Sequence, residues 1–548
     1  MLTKRPELSE LTLREKIGQT ALMQAAIFMN MEDVEGYLKE NPIGQIWHNC
    51  NTFMLAANLT DAPIDNPKDS EFYRKWALSM KKYMKIPPLV ANDGPTKPMA
   101  TDMPGLQTMP VIGANNSVEV AEEFGRLYAE NADALGAHWI WVPCVDIPSR
   151  FSVVSTMRSF SDDKDKLIDI ADGFIRGGRE GGIALTAKHF PGADKHEYRD
   201  GHFVNTYIRT PLEEWKQEQG AVFQALIDRG VYSIMVGHVA YPVVDNTKLG
   251  GNYVPATLSP KIVTGLLKED MGFKGVVITD SIDMGGLKNA YPDREDMLVA
   301  LVNAGNDVLL NVKDLDYIDI IERAVLDGRI PESRIDDACT RILDLKEKLG
   351  LFEEKEEKCM TPELYQKTVE FDQRVAENAL VLECVRNNLL PLDPEKVKNV
   401  AIIVSTHSDR FFEGLQVMKQ ELENRGIRVR LQRRLSSYEE MHEISEENDV
   451  ILYVSCVTPH SPLGGSGLFC EECETFFYAF NEGMEKSIGV SMGSIYVYYD
   501  YYINMNSYIH TLSSSAETQK ALVKALFGEI PFKGELPYVA PWREEEAF

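Results

Sequence analysis

The chain has 548 residues, of which 44% are hydrophobic and 26% charged, and its formal net charge is −27. These proportions exclude a disordered or fibrous chain, and at roughly 100–200 residues per domain the length predicts two or three domains. The acidic excess repels phosphate backbones and anionic lipid, which argues against nucleic-acid and membrane-surface partners.

The opening stretch MLTKRPELSELTLREKIGQ has no apolar run behind Lys4 and Arg5, so it does not read as a secretory signal. No apolar run in the chain approaches the roughly 18 residues that span a bilayer. Eight sparse, unevenly spaced cysteines make no disulfide framework. Together these features predict a cytoplasmic protein. Thr12 and Glu15 have capping-box spacing and predict a helix start. From about residue 87, short apolar runs alternate with helical patterns such as Val118–Leu135 and Lys261–Glu269. The runs are Leu89–Ala91, Trp139–Pro143, Ile183–Ala187, Tyr232–Val236, Val276–Thr279 and Val308–Leu310. Such a rhythm predicts an α/β fold, a parallel sheet closed as a (β/α) TIM-like barrel over residues 1–345. A charged stretch from Lys346 to Lys358 predicts a solvated helix end within a linker over 346–395. Residues 396–548 predict a second α/β domain. Its strands are read at Asn399–Ser405 and Val450–Ser455, with one broken strand over Ile488–Val490 and Ile495–Tyr499.

In a parallel barrel the chemistry gathers where strands end. Asp280 follows the strand VVIT, where it can serve as a helix N-cap or as a carboxylate nucleophile. Asp200 precedes His202 by two residues on a glycine-containing loop. A carboxylate beside an imidazole can hold one tautomer and stabilise the imidazolium, so the pair can protonate a leaving group and then deprotonate water. An exposed loop histidine is the plainer reading. His196, two residues after Asp194, is a rival donor on the same loop. Lys188 and His189 end another strand, where they can bind hydroxyl groups or be satisfied within the core. Asp146 and Arg158 follow the strand at Trp139; Arg158 can face the pocket, while Ser161, Asp162 and Asp163 read as capping residues. Cys470 and Cys473 have CxxC spacing but no matching second pair, so no metal site is read there. Gly464-Gly465-Ser466-Gly467 lacks the ending of a phosphate loop. Tyr498, Tyr499, Tyr501 and Tyr502 read as packing residues, with a sugar platform as the alternative.

Taken together, these segments resemble glycoside hydrolase family 3. The resemblance is carried by KHFPG at 188–192, Asp200-Gly201-His202, IMVGH at 234–238, PATLSPKIVTGLLKEDMGFKGVVITDSIDM at 255–284 and AGND at 304–307, in the family's order. LTLREKIGQ, NADALGAHWIWVPCVDI, RSFSDD, NLLPL and ALFGEIPFKGELPY extend it along nearly the whole chain. The resemblance implies a barrel followed by a C-terminal α/β sandwich, and retaining hydrolysis through a covalent glycosyl-enzyme. Asp280 matches the nucleophile. Asp200 and His202 match the Asp-His acid/base dyad of the β-N-acetylglucosaminidase branch, and Arg158, Lys188 and His189 match sugar-binding positions. The expected activity is an exo-acting β-N-acetylhexosaminidase on small glycosides, with no metal or organic cofactor. A hydrolase of glucose or another sugar, a phosphorylase and a non-catalytic sugar-binding protein are the alternatives. Two departures stand out. The span from Lys188 to His202 is one residue longer than the family's usual spacing. In LVANDGP, Ala91 falls where many members carry a sugar-binding Asp, which leaves Asp93 as the candidate substitute.

Overall fold

The computed structural model describes residues 2–538 except 49–68, 95–99, 150–154, 156, 292, 355–357, 387, 407–408, 458–474, 476–477 and 480–481. Eight parallel strands form the first sheet: β1 Ala21–Gln24, β2 Gln45–Trp47, β3 Leu89–Asn92, β4 Trp139–Ile140, β5 Ala184–Phe190, β6 Ser233–Val236, β7 Val276–Thr279 and β8 Leu309–Val312. Their order is β7-β6-β5-β4-β3-β2-β1-β8, and a parallel bridge between Ile278 and Val308 joins the two end strands into a barrel. Two strands, β1 and β2, precede the rhythm read from the sequence. They are four and three residues long.

Each strand is buried on both faces. Leu89, Ala91, Trp139 and Trp141 join a cluster inside the barrel, while Val90 and Ile140 join the layer beneath the helices. This two-sided burial is why the runs are continuously apolar. Ala91 pairs in register with Trp47 and with Trp139. The indoles of Trp47 and Trp141 meet beside it with ring centroids 5.4 Å apart. A small side chain on β3 gives two large ones the room they need. At the start of the barrel the Thr12–Glu15 capping box forms and opens helix Leu13–Gly18.

The second sheet contains β9 Val381–Val385, β10 Asn399–Ser405, β11 Arg428–Arg433, β12 Val450–Ser455, β13 Ser487–Ser491 and β14 Ser507–His510. Its order is β9-β14-β13-β12-β10-β11, parallel except for β9 against β14. The expected strand over Ile495–Tyr499 is corrected. Residues 496–502 are helical, and Tyr498, Tyr499 and Tyr502 are buried packing residues. Short aromatic runs fit a buried helical turn as well as a strand, and burial decides between them. Lys346 is a second correction. It is fully buried at the end of helix Glu332–Lys348, donating to Gln19 Oε1 at 2.6 Å and Gly44 O at 3.0 Å. It lies on the same helical face as Cys339, Ile342 and Leu343, a period that a run of charges conceals. The Cys470–Cys473 pair and the Gly464–Gly467 segment lie outside the described residues.

Helix Pro362–Ala379 sits between the sheets. Phe371 stacks on Phe124 of the barrel at 5.7 Å, and Glu377 pairs with Lys524 of the second domain at 2.7 Å. Gln107 joins the domains directly, donating its backbone N–H to Asp372 and its side-chain amide to Ser515. Among the described residues no helix is long and apolar enough to cross a membrane.

Candidate active site

Asp280 stands one residue beyond β7, anchored by its N–H to Val236 O at 2.8 Å. It caps no long helix. Its Oδ1 accepts the Ser281 N–H at 2.7 Å, and the next helical turn, Gly285–Lys288, starts after Met284. Its Oδ2 lies 3.9 Å from His189 Nε2. Burial pushes this carboxyl's pKa up, but the charges of His189, His238 and His202 and the Ser281 N–H outweigh it and hold the group at about 2. Asp280 is thus a half-buried, ionised carboxylate at the barrel's C-terminal mouth.

The neighbouring strands supply the surroundings. His189, near the end of β5, is gripped by Asp146, which accepts the His189 N–H at 3.0 Å and meets Nδ1 at 2.7 Å. That contact directs Nε2 toward Asp280. Asp146 is fully buried, yet the His189 charge and hydrogen bonds keep its pKa below the ordinary value. Lys188 is buried and pairs with Asp93 at 3.0 Å. Arg158 lies in the same field. Burial disfavours its charge, but Cys144, Asp93, Asp146 and Asp280 around it raise its pKa. The structure therefore brings Asp280, His189, Lys188, Asp93 and Arg158 together.

Ligand atoms of Cys144, Asp146 and His189 lie within 4.8 Å of one another, the one such group among the described residues. They already satisfy each other. The Cys144 thiol donates to Asp146 Oδ2 at 3.3 Å, the same oxygen that meets His189, and burial pushes the thiol's pKa up. A metal would need that thiol deprotonated. The set is a hydrogen-bonded chain that orients His189.

The loop after β5 carries both candidate acid/bases, and the structure treats them differently. Asp200 Oδ1 accepts the His202 N–H at 2.8 Å and meets His202 Nδ1 at 2.6 Å. A carboxylate on Nδ1 leaves Nε2 outward. Asp194 takes only the backbone N–H of His196, at 2.9 Å, and gives its other oxygen to Arg209 N at 2.6 Å. The His196 side chain is exposed. Glu197 braces the loop, accepting Arg199 Nε at 2.8 Å and Tyr207 N at 3.0 Å. Ordinary capping explains Asp163, which starts helix Lys164–Glu180 by accepting from Asp165 and Lys166.

A supporting network was not foreseen in full. His238 Nε2 meets Ser281 O at 2.8 Å and Nδ1 meets Thr257 Oγ1 at 2.9 Å. A carbonyl can only accept, so Nε2 carries the proton; burial lowers the pKa and favours the neutral ring. On the other side, Gln24 Nε2 donates to Asn311 Oδ1 at 2.8 Å, and Asn311 Nδ2 donates to Ser281 Oγ at 2.9 Å. β1, β8 and β7 thus fix the residue that follows Asp280. The one signal was an asparagine inside the apolar run LLNV, where strand preference disfavours it.

The family model for the glycosyl hydrolase family 3 N terminal domain matches residues 12–345. The chain belongs to glycosyl hydrolase family 3. It is similar to a beta-N-acetylglucosaminidase/beta-glucosidase of Cellulomonas fimi, 32% identical over 246 residues, 44% of this chain and 43% of that protein. A beta-hexosaminidase of Methylobacillus flagellatus is 31% identical over 206 residues, 37% of this chain and 55% of that protein. The matched stretches span about half the length of these curated relatives. Solved structures align along nearly the whole molecule. A beta-glucoside phosphorylase superposes with a TM-score of 0.83 at 22% identity, over 97% of this chain and 94% of its own. A beta-N-acetylglucosaminidase from Paenibacillus sp. str. FPU-7 gives 0.79 at 22% identity, over 96% and 99%. The family 3 barrel and the second sheet domain are thereby established.

Proposed function

We propose that this family 3 protein is a retaining exo-β-glycosidase, a β-N-acetylhexosaminidase that removes terminal sugars from small glycosides in the cytoplasm. The observation that carries the reading is a half-buried, ionised Asp280 within the field of His202, whose ring is held by Asp200. The names of the sequence relatives, beta-N-acetylglucosaminidase and beta-hexosaminidase, support the choice of sugar.

Asp280 Oδ2 attacks the anomeric carbon while His202 Nε2 protonates the departing glycosidic oxygen. The bond to the leaving group breaks as the ester to Asp280 forms. His202, now neutral, takes a proton from water, whose oxygen attacks the same carbon and releases Asp280. Two inversions give retention. The Asp200 carboxylate stabilises the imidazolium in the first step. Arg158, Lys188, His189 and Asp93 bind the sugar's hydroxyls and hold it over the carboxylate. The steps run on side chains alone. Catalysis is assigned to residues 1–345 and the bracing role to the second domain, read at 396–548; the expected linker over 346–395 also contributes β9 to that domain's sheet.

A panel of aryl β-glycosides tests the reading. N-acetylglucosaminide should be cleaved fastest; cleavage of another glycoside with that one untouched rejects the sugar. Phosphate in place of water is a second reading. A neutral imidazole does not repel an anionic acceptor as a carboxylate base does, and Arg158 places a cation in the pocket. Release of sugar 1-phosphate in phosphate buffer distinguishes it from hydrolysis.

A further inference from the structure

We propose that Gly285 and Gly286 are positioning residues, whose missing side chains let the loop bearing Asp200 and His202 rest on the segment that follows Asp280. The proposal builds on the reading of His202 as acid/base given above.

Four successive carbonyls of the loop, from Gly201 to Val204, face this segment. The Gly285 N–H donates to His202 O at 2.7 Å, and Asn289 Nδ2 donates to Phe203 O at 3.2 Å. A β-carbon on Gly285 would lie 2.5 Å from Phe203 O and 3.0 Å from His202 O. One on Gly286 would lie 2.5 Å from Gly201 O and 3.0 Å from Val204 O. Neither glycine has a positive φ, so backbone conformation does not require it. Space does. The atoms in the way are main-chain oxygens, which cannot rotate aside as a side-chain end can.

The contact matters because it is the direct tie between two loops from different strands. One end of the tie is five residues past Asp280, and the other is the peptide of His202 itself. Asp200 sets the rotation of the imidazole, and the backbone contact ties the peptide of that ring to the segment that follows Asp280. An added methyl group forces the loop back by roughly half an ångström to one ångström, and misplacement on that scale costs about 10²-fold in a proton transfer.

The test uses aryl glycosides whose phenols range from strongly to weakly acidic. Departure of 2,4-dinitrophenolate needs no proton donor, whereas departure of phenolate does. For Gly285→Ala and Gly286→Ala, kcat/KM on the phenyl glycoside should fall about 10²-fold, while on the 2,4-dinitrophenyl glycoside it should stay within about threefold. Retained turnover of the activated substrate also shows that the variant is folded and that Asp280 works. An equal loss along the whole series overturns the proposal. Asn289→Ala removes one of the two bonds and inserts no atom, so it decides the matter should both glycine variants unfold. A graded loss of about fivefold on the phenyl glycoside upholds the tie, and an unchanged or uniform profile rejects it. His202→Ala separates the two layers. If its own loss is not graded by leaving group, the acid/base reading falls. If His202→Ala is graded and Gly285→Ala is not, the glycine inference alone falls.

Discussion

At the scale of single residues, charge balance at Asp280 governs both chemistry and stability. Asp280→Asn removes the oxygen proposed to attack and should lower kcat/KM by about 10³-fold or more. Its carboxyl sits at about 2 in the fold, below the ordinary 3.8. A depressed carboxyl stabilises the fold above the unfolded value and loses that contribution as pH falls through the folded one, here from about pH 4 to about pH 2, a span of about 2 kcal/mol. The melting temperature of Asp280→Asn should therefore trail wild type above pH 5, and the gap should close toward pH 2 in a pH series of thermal melts. His196 offers the complementary case. Its ring has no contact from Asp194 and faces solvent, so His196→Ala should leave kcat/KM within about twofold. A loss as deep as that of His202→Ala would return it to the mechanism. Motif spacing raised both histidines as candidates; only the hydrogen bond from the Asp200 side chain separates them. The Gln24–Asn311–Ser281 chain lay beyond sequence reasoning because its members come from three strands far apart in sequence.

At the scale of elements, β3 is where family pattern and packing diverge. Ala91 is wholly buried inside the barrel, in register with Trp47 and Trp139. Ala91→Asp should destabilise the protein by about 2–4 kcal/mol, because a carboxyl there would displace indole packing and find no solvent. Urea unfolding with an unchanged m-value and a lower midpoint is the expected result; an unchanged midpoint would show room beside the indoles. Asp93, one residue beyond the strand, pairs with Lys188. Most barrel strands were legible because two-sided burial writes itself as continuous apolar runs. Ile495–Tyr499 misled for the same reason, since a buried helical turn rich in aromatics leaves the same trace as a strand. Lys346 misled in the opposite direction: charge suggested solvent, while helical period placed it in the core.

At the scale of the whole molecule, a buried acid marks the seam between domains. Asp372 accepts the Gln107 N–H at 3.0 Å, and burial, together with the charge of Glu517, raises its pKa to about 8. A raised carboxyl works against the fold as pH rises from the unfolded value, near 4, to the folded one, so wild type loses stability across that window. Asp372→Asn keeps the accepting oxygen and escapes that cost. Its unfolding free energy should exceed that of wild type by a margin that grows from pH 5 to pH 8, reaching about 1–4 kcal/mol, as read from urea unfolding across that range. A margin independent of pH would show that Asp372 is ionised at the seam. Two sheets were legible from strand rhythm, but the seam was not, since Gln107, Asp372 and Ser515 meet only after both domains have folded.

The seam has one further thread. Tyr538 is buried and donates its hydroxyl to Ser159 O at 2.6 Å, and Pro537 O accepts the Asp162 N–H at 3.1 Å. Both contacts clamp the turn that presents Arg158, across a separation of 379 positions for the tyrosine. During synthesis on the ribosome, the barrel strands emerge long before their last brace. A nascent chain has every strand of the barrel in hand by residue 312, yet the arginine's turn gains its final support only when Tyr538 is added. On the proposed assignment of Arg158 to sugar binding and Asp280 to attack, the arginine's turn gains this brace well after the carboxylate has been made.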